Sequence, residues 1–482
     1  MTFKRIAFTI ASAMAFVAMV SAAPLVQKPE KRATTNTAAS YVINTSALPG
    51  LDSGLTALPQ WSGLMPVGGS NTLFFWYVQA ANASSDNLIF WHNGGPGCSS
   101  MEGLFQENGP YHTEDGGQTW QMNPYSWHNY GHVVYIDQPF GTGFSTDNTP
   151  VPNEDVVGTT MLNFYESFFA AFPGMQSKNM YIAGESYAGR YIPYMAKYVQ
   201  SYNTANPSNQ YNLKAIAMGD AYVDTSVNND FVYYVPYLAQ NPWIYGNSES
   251  WLTKAQSYAS KAVSTSDCVS AESEPAISSA CQNLENEFMN SMPAPSNPPL
   301  DSSCTDPYGN PIYFDPYKTD VTDCNFAQMD LLYAQSPWEY YLNLAAVQAQ
   351  IHINPPVSYS DCNNLSGGIY TSDPSTVPKY FIGSLIDAGL KVTLYTGLLD
   401  TVVPHTLTEA AINYMTWGGT QGFTSSTFTP STMTPISNGT AQTGSYHAER
   451  GLTYVIVNNA GHMVPRDDPF TASWIIQNLL TQ

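Results

Sequence analysis

Apolar positions cluster into short runs without polar interruption, the mark of strands buried on both faces. Residues 73–78 (Leu-Phe-Phe-Trp-Tyr-Val) and 88–91 (Leu-Ile-Phe-Trp) read as two strands around an Asn/Ser-rich turn, and 132–137 (His-Val-Val-Tyr-Ile-Asp) as a third. Residues 155–172 have helical spacing and stop at Pro173-Gly174. A strand at 180–183 is followed by a helix over 187–202, then by strands at 215–218, 391–395 and 453–457, and by a final helix over 469–480. Strands alternating with helices predict an α/β protein with a mostly parallel central sheet and helices on both faces. From about 224 to 365 the pattern changes to a stretch rich in Tyr, Asn, Ser and Pro, expected to be a disulfide-containing cap inserted over the active edge of the sheet. Residues 419–447 are Ser/Thr/Gly-rich and read as a surface loop or hairpin.

The N-terminus departs from this pattern. Lys4 and Arg5 precede an apolar run from Ile6 to Val20 and the small residues Ser21-Ala22-Ala23, the three parts of a secretory signal peptide over 1–23. The run is short for a span of about 20 residues, which argues against a retained anchor. Residues 24–32 end in Lys31-Arg32 and read as a short propeptide, leaving 33–482 as one catalytic domain with its cap. Secretion makes disulfides the expected state of the six cysteines, for which 15 pairings exist. It also makes Asn44, Asn82, Asn364 and Asn438, each in an Asn-X-Ser/Thr sequon, candidate glycosylation sites. Charged residues are only 11% of the chain, and the net charge of −21 falls to −25 once residues 1–32 are removed. Such a surface repels nucleic acid and anionic membranes and fits an acidic medium, extracellular or vacuole-like, where protonation relieves self-repulsion. No CxxC pair or His/Cys cluster has zinc-ligand spacing, so no metal or cofactor is expected.

The chemistry concentrates in loops that follow strands. Gly184-Glu185-Ser186-Tyr187-Ala188-Gly189 lies between a strand and a helix, the context of a nucleophile elbow, although Ala188 stands where the G-x-S-x-G pattern has its second glycine. A serine nucleophile needs a base and an orienting carboxylate. Of the histidines after the elbow, His462 follows the 453–457 strand in a Gly-flanked loop, whereas His352 falls in the insertion and His405 and His447 read as loop histidines. Asp400 likewise follows the 391–395 strand, while Asp387 falls on a helix. The Gly-rich run 93–100 (Asn-Gly-Gly-Pro-Gly-Cys-Ser-Ser) supplies backbone N–H groups for an oxyanion hole; no Gly-Lys-Ser/Thr follows it, which sets aside a phosphate loop.

Together with the segments at 137–145 (Asp-Gln-Pro-Phe-Gly-Thr-Gly-Phe-Ser) and 461–465 (Gly-His-Met-Val-Pro), these motifs resemble the serine carboxypeptidase family, most of all its extracellular fungal members. The resemblance runs in order from about residue 70 to the C-terminus. It implies the α/β-hydrolase fold and a triad of Ser186, Asp400 and His462, with the backbone N–H groups of Gly95 and Tyr187 as oxyanion hole. It also implies recognition of a substrate's free carboxylate by Trp91, Asn93, Gly94, Glu107 and Glu185, and the pairings Cys98–Cys362, Cys268–Cys281 and Cys304–Cys324. Two glutamates near a substrate anion predict that one is protonated, so that binding weakens as pH rises. The chain departs from many members in having Leu398 in place of the first acid of Gly-Asp-x-Asp, and Gly219-Asp220 in place of Gly-Asn. The expected activity is release of single residues from peptide or protein C-termini through an acyl-enzyme, favoured in acid. An acyltransferase sharing the acyl-enzyme, and a non-catalytic binding protein on the same fold, are the alternatives.

Overall fold

The computed structural model describes residues 36–146, 151–224, 336–362, 376–400, 402–424, 432–439 and 441–481, with Ser257 alone besides. The expected signal peptide and propeptide, most of the insertion, Cys268, Cys281, Cys304, Cys324 and Asn364 lie outside the described residues.

Ten strands form one sheet: β1 (Gln60–Gly68), β2 (Asn71–Val78), β3 (Asn87–His92), β4 (His132–Ile136), β5 (Asn179–Glu185), β6 (Leu213–Gly219), β7 (Lys391–Gly397), β8 (Thr434–Ser437), β9 (Gln442–Glu449) and β10 (Leu452–Val457). Their spatial order is β1-β2-β4-β3-β5-β6-β7-β10-β9-β8. The six central strands, β4 to β10 in that order, are parallel. Antiparallel pairs flank them on both sides. The apolar runs follow from this placement. In β2, Phe75 and Tyr77 enter one core while Phe74, Trp76 and Val78 enter the other; in β3, Leu88 and Phe90 part in the same way from Ile89 and Trp91. With both faces covered, a strand has no polar side to show.

Helices α1 (Glu154–Ala171) and α2 (Ala188–Ala205) cover one face, joined there by α3 (Lys379–Asp387) and α4 (His405–Tyr414); α5 (Pro469–Leu480) packs on the other. The Asn153 side chain caps α1 by accepting from the Val156 N–H, and Glu154 and Asp155 favour its N-terminal dipole. Val157, Met161, Phe164 and Phe168 form its buried stripe. Gly158 lets α2 approach, since a Cβ there would lie 2.5 Å from the Tyr198 ring.

Two expectations are corrected. The strands within 71–93 exist but are not neighbours, because β4 lies between β2 and β3. The 132–136 run is apolar on both sides and can be buried only inside the sheet, so a locally hairpin-like turn serves instead as a crossover. His447 lies within β9 and His405 opens α4, so neither is a loop histidine. Within 419–447, β8 and β9 pair as a hairpin. Strand β1 carries Gly63 and Pro66 and has no clear strand signal; proline is tolerated because β1 is an edge strand. Among the described residues no helix is long and apolar enough to cross a membrane.

Candidate active site

Ser186 follows β5 with φ of 59°, in the left-handed region that a non-glycine residue adopts only when its surroundings impose it. Its N–H donates to the Gly219 carbonyl (2.8 Å), and its carbonyl accepts from Gly189 N–H and Tyr222 N–H (both 2.9 Å). A Cβ on Gly184 would lie 2.1 Å from the His92 carbonyl oxygen, and one on Gly189 would lie 2.7 Å from Tyr222 N. The second obligatory glycine is therefore residue 189, which explains why Ala188 is accommodated. Ser186 and Tyr187 are partly exposed, while Glu185 and Ala188 are buried. Tyr187 immediately precedes α2, so its N–H points from a helix N-terminus.

Asp400 and His462 follow β7 and β10. Asp400 accepts from Val402 N–H (2.7 Å) and Val403 N–H (3.1 Å), and its Oδ2 lies 2.9 Å from His462 Nδ1. In that contact the Nδ1–H donates to the Asp400 carboxylate, which leaves Nε2 as the proton acceptor. The two loops touch: a Cβ on Gly397 would meet the Gly461 carbonyl at 2.1 Å. Burial pushes the His462 pKa down, but the charge and hydrogen bond of Asp400, with Glu102 and Glu107 further off, leave it raised. The other expected alternatives lie elsewhere in role. Asp387 closes α3 and accepts from Gly418 N–H (2.7 Å). His405 is held near pKa 4 by burial, against the opposing charge of Asp400.

The 93–98 loop lies against the elbow. A Cβ on Gly94 would sit 2.4 Å from Tyr187 N, and Gly95, exposed at φ of 105°, would place one 2.7 Å from Cys98 N. Cys98 is bonded to Cys362, and Ser99 N–H donates to the Asp361 carbonyl (3.0 Å), fastening this loop to the far end of the insertion. Buried Asp137 secures it from below, accepting from Ser99 Oγ (2.5 Å), Ser100 N–H (3.2 Å) and Phe144 N–H (3.1 Å). Burial outweighs those bonds and pushes its pKa up to about 7.

Beside the elbow, Asn93 organises a carboxyl cluster. Its Oδ1 accepts from Trp91 Nε1 (2.6 Å) and Gly103 N–H (3.2 Å). Its Nδ2 donates to Glu107 (2.9 Å), Glu185 (3.1 Å) and Glu102 (3.4 Å). Glu107 ends a π-helical turn, Gly103–Glu107, that a side chain at 103 would drive into the Trp91 indole at 2.1 Å. Burial raises the pKa of both Glu107 and Glu185, and the Glu107 charge raises that of Glu185 further. Oxygens of Glu102, Glu107 and Glu185 all lie within 4.8 Å of one another.

A family model described as serine carboxypeptidase matches residues 49–482. The chain belongs to the serine carboxypeptidase family. The carboxypeptidase is 31% identical over 95% of its length to the pheromone-processing carboxypeptidase KEX1 of Phaeosphaeria nodorum, of which it covers 69%. It is 30% identical over 90% of its length to the pheromone-processing carboxypeptidase kex1 of Aspergillus niger, again covering 69%. The crystal structure of KEX1(DELTA)P, a prohormone-processing carboxypeptidase from Saccharomyces cerevisiae, superposes with a TM-score of 0.73 at 22% identity. The match covers 92% of this chain and 96% of that one, and confirms the α/β-hydrolase fold.

In this serine-type carboxypeptidase all ten expected site residues gather at one sheet edge, the C-terminal ends of the parallel strands, where open α/β sheets bind their ligands. Asn44, Asn82 and Asn438 are exposed. The roles of three groups escaped the sequence reading, one of them Asp220, which stood there only as a departure from Gly-Asn. Glu102 stands five residues before Glu107, a spacing that does not mark it as a neighbour. Arg466 lies close enough to lower the Glu107 pKa, and as a cation four residues after His462 it could have been noticed. Asp220 follows β6 and meets Asp400. Two sets bring ligand-type atoms within 4.8 Å: Asp220, Asp400 and His462, and the three glutamates. In both, Asn93 or backbone N–H groups donate to the carboxylates.

Proposed function

We propose that this carboxypeptidase releases single residues from the C-termini of secreted-pathway peptides in acidic surroundings. Ser186 attacks the last peptide carbonyl, His462 takes its proton and returns it to the leaving amine, and Asp400 holds the imidazole and balances its charge. The N–H groups of Gly95 and Tyr187 receive the oxyanion. Trp91, Asn93, Gly94, Glu107 and Glu185 bind the terminal carboxylate. Hydrolysis of the acyl-enzyme by water completes the turnover. The observation that carries this reading is the Asn93 amide shared between two buried glutamates beside the elbow. Such a pair cannot hold two charges cheaply, and its protonated member becomes a donor for an anion. The pheromone-processing role in the relatives' names supports a peptide substrate. The signal peptide, the propeptide, the catalytic domain over 33–482 with its cap, and sugar on exposed Asn44, Asn82 and Asn438 complete the proposal.

The test is hydrolysis of N-blocked dipeptides against their C-terminal amides across pH. Free acids should be preferred in acid, with the preference shrinking as pH rises. Equal cleavage of amides at every pH would remove the carboxylate-binding role, and full activity in Ser186→Ala would remove the nucleophile.

A further inference from the structure

Asp220 is a buried carboxyl that the proposed mechanism does not use. It follows β6, the strand between those that carry Ser186 and Asp400, and has φ of 45°. Its N–H donates to the Tyr395 carbonyl (2.7 Å) and its Oδ1 accepts from Gly397 N–H (2.8 Å). Its side chain is fully buried with its carboxyl against that of Asp400, and among the described residues no donor faces Oδ2. Two carboxyl groups in contact require a proton between them. The donors decide where it resides. Asp400 accepts two backbone N–H groups and the imidazole, whereas Asp220 accepts one N–H. That imbalance favours a proton on Asp220 Oδ2.

We propose that Asp220 is a positioning residue whose neutral carboxyl donates its O–H to Asp400 and so fixes the carboxylate that orients His462. Its surroundings favour the neutral form. Asp400 and His462 face it from the loops after β7 and β10, Asp467 from the short helix Val464–Asp467 that follows, Glu185 from the end of β5, and the Tyr395 and Tyr454 phenols from β7 and β10. Burial first, then the Asp400 charge, raises its pKa well above the ordinary range, with Asp467 adding to it. Ionised Asp220 would confront Asp400 with a like charge, and the donor would be lost. The device thus ties imidazole orientation to pH through a carboxyl placed behind the triad rather than against the substrate, and so acts on kcat more than on KM.

This inference rests on the triad reading, so Asp400→Ala is run beside it. The measurement is kcat and KM across pH for an N-blocked dipeptide varied from below to well above KM. Asp220→Ala should lose at least tenfold in kcat with KM changed less than threefold. Asp220→Asn keeps an acceptor for Gly397 and an N–H for Asp400, so it should recover most of that loss. Because an amide does not titrate, it should also hold kcat at alkaline pH where the native enzyme declines. Three results would overturn the inference: undiminished kcat in Asp220→Ala beside a disabled Asp400→Ala; an Asn variant as impaired as the Ala variant while folded by thermal unfolding; or an Asn profile that superposes on the native alkaline limb. Full turnover in Asp400→Ala would instead overturn the triad reading.

Discussion

Glu185→Gln isolates the electrostatic part of carboxylate recognition. Glu185 is buried beside Glu107, with oxygens of the cluster within 4.8 Å of each other, and a substrate carboxylate bound among them would meet each anion at a similar separation. At an effective dielectric constant of about 20, a like-charge pair at that range repels by about 3 kcal/mol, or roughly two orders of magnitude in binding. Burial, then the Glu107 charge, raises the Glu185 pKa well above its ordinary value, so the repulsion is absent in acid and grows as pH rises through the shifted titration. KM for an N-blocked dipeptide acid should therefore climb by up to that factor across the transition, while kcat changes little. Glutamine keeps a neutral donor in the same place and removes one ionisable carboxyl from the cluster, so the climb should flatten and KM at neutral pH should fall below that of the native enzyme. Steady-state kinetics on the acid and its amide at several pH values read this directly. A KM rise identical in native and Glu185→Gln enzymes, or an equal rise for the amide, would refute the assignment of the pH dependence to this carboxyl.

Gly94→Ala places a methyl group 2.4 Å from Tyr187 N and 2.8 Å from Ser186 Cβ, so it should displace the oxyanion donor. Loss of one such donor costs about 10²–10³ in kcat, measurable by active-site acylation with the fold checked by circular dichroism. Asp137→Asn tests a linkage. The folded-state pKa near 7 exceeds the unfolded value, so the native carboxyl stabilises the fold fully below about pH 4 and progressively less as pH rises through 7. The asparagine variant should lack that part of the decline in denaturant titrations at pH 4, 6 and 8.

The parts of the site that were legible in the sequence are those whose chemistry is local. A serine between Gly184 and Gly189 needs a tight turn whatever surrounds it, and Asp400 and His462 each announce themselves by following an apolar strand. The Cys98–Cys362 bridge was implied by resemblance and is present. What stayed hidden is made by tertiary pairing. Asp220 meets Asp400 because β6 pairs with β7 across some 180 residues of chain, and no periodicity records that contact. The order of β2, β4 and β3 is hidden for the same reason: each strand's own pattern is satisfied by any interior position. The edge strand β1 was missed because Gly63 and Pro66 violate strand propensity at a position where one unpaired side makes the violation harmless.

Ser186, Asp220, Asp400 and His462 terminate four strands that are side-by-side neighbours in the sheet. The geometry of the reaction is thus set by inter-strand spacing, the least variable dimension a sheet possesses. The chain that joins β6 to β7 carries part of this frame itself: Asp220 opens it, Tyr222 N–H holds the Ser186 carbonyl, and Cys362 is bonded to Cys98. A graft between β6 and β7 must therefore keep both anchored ends if the four groups are to stay aimed.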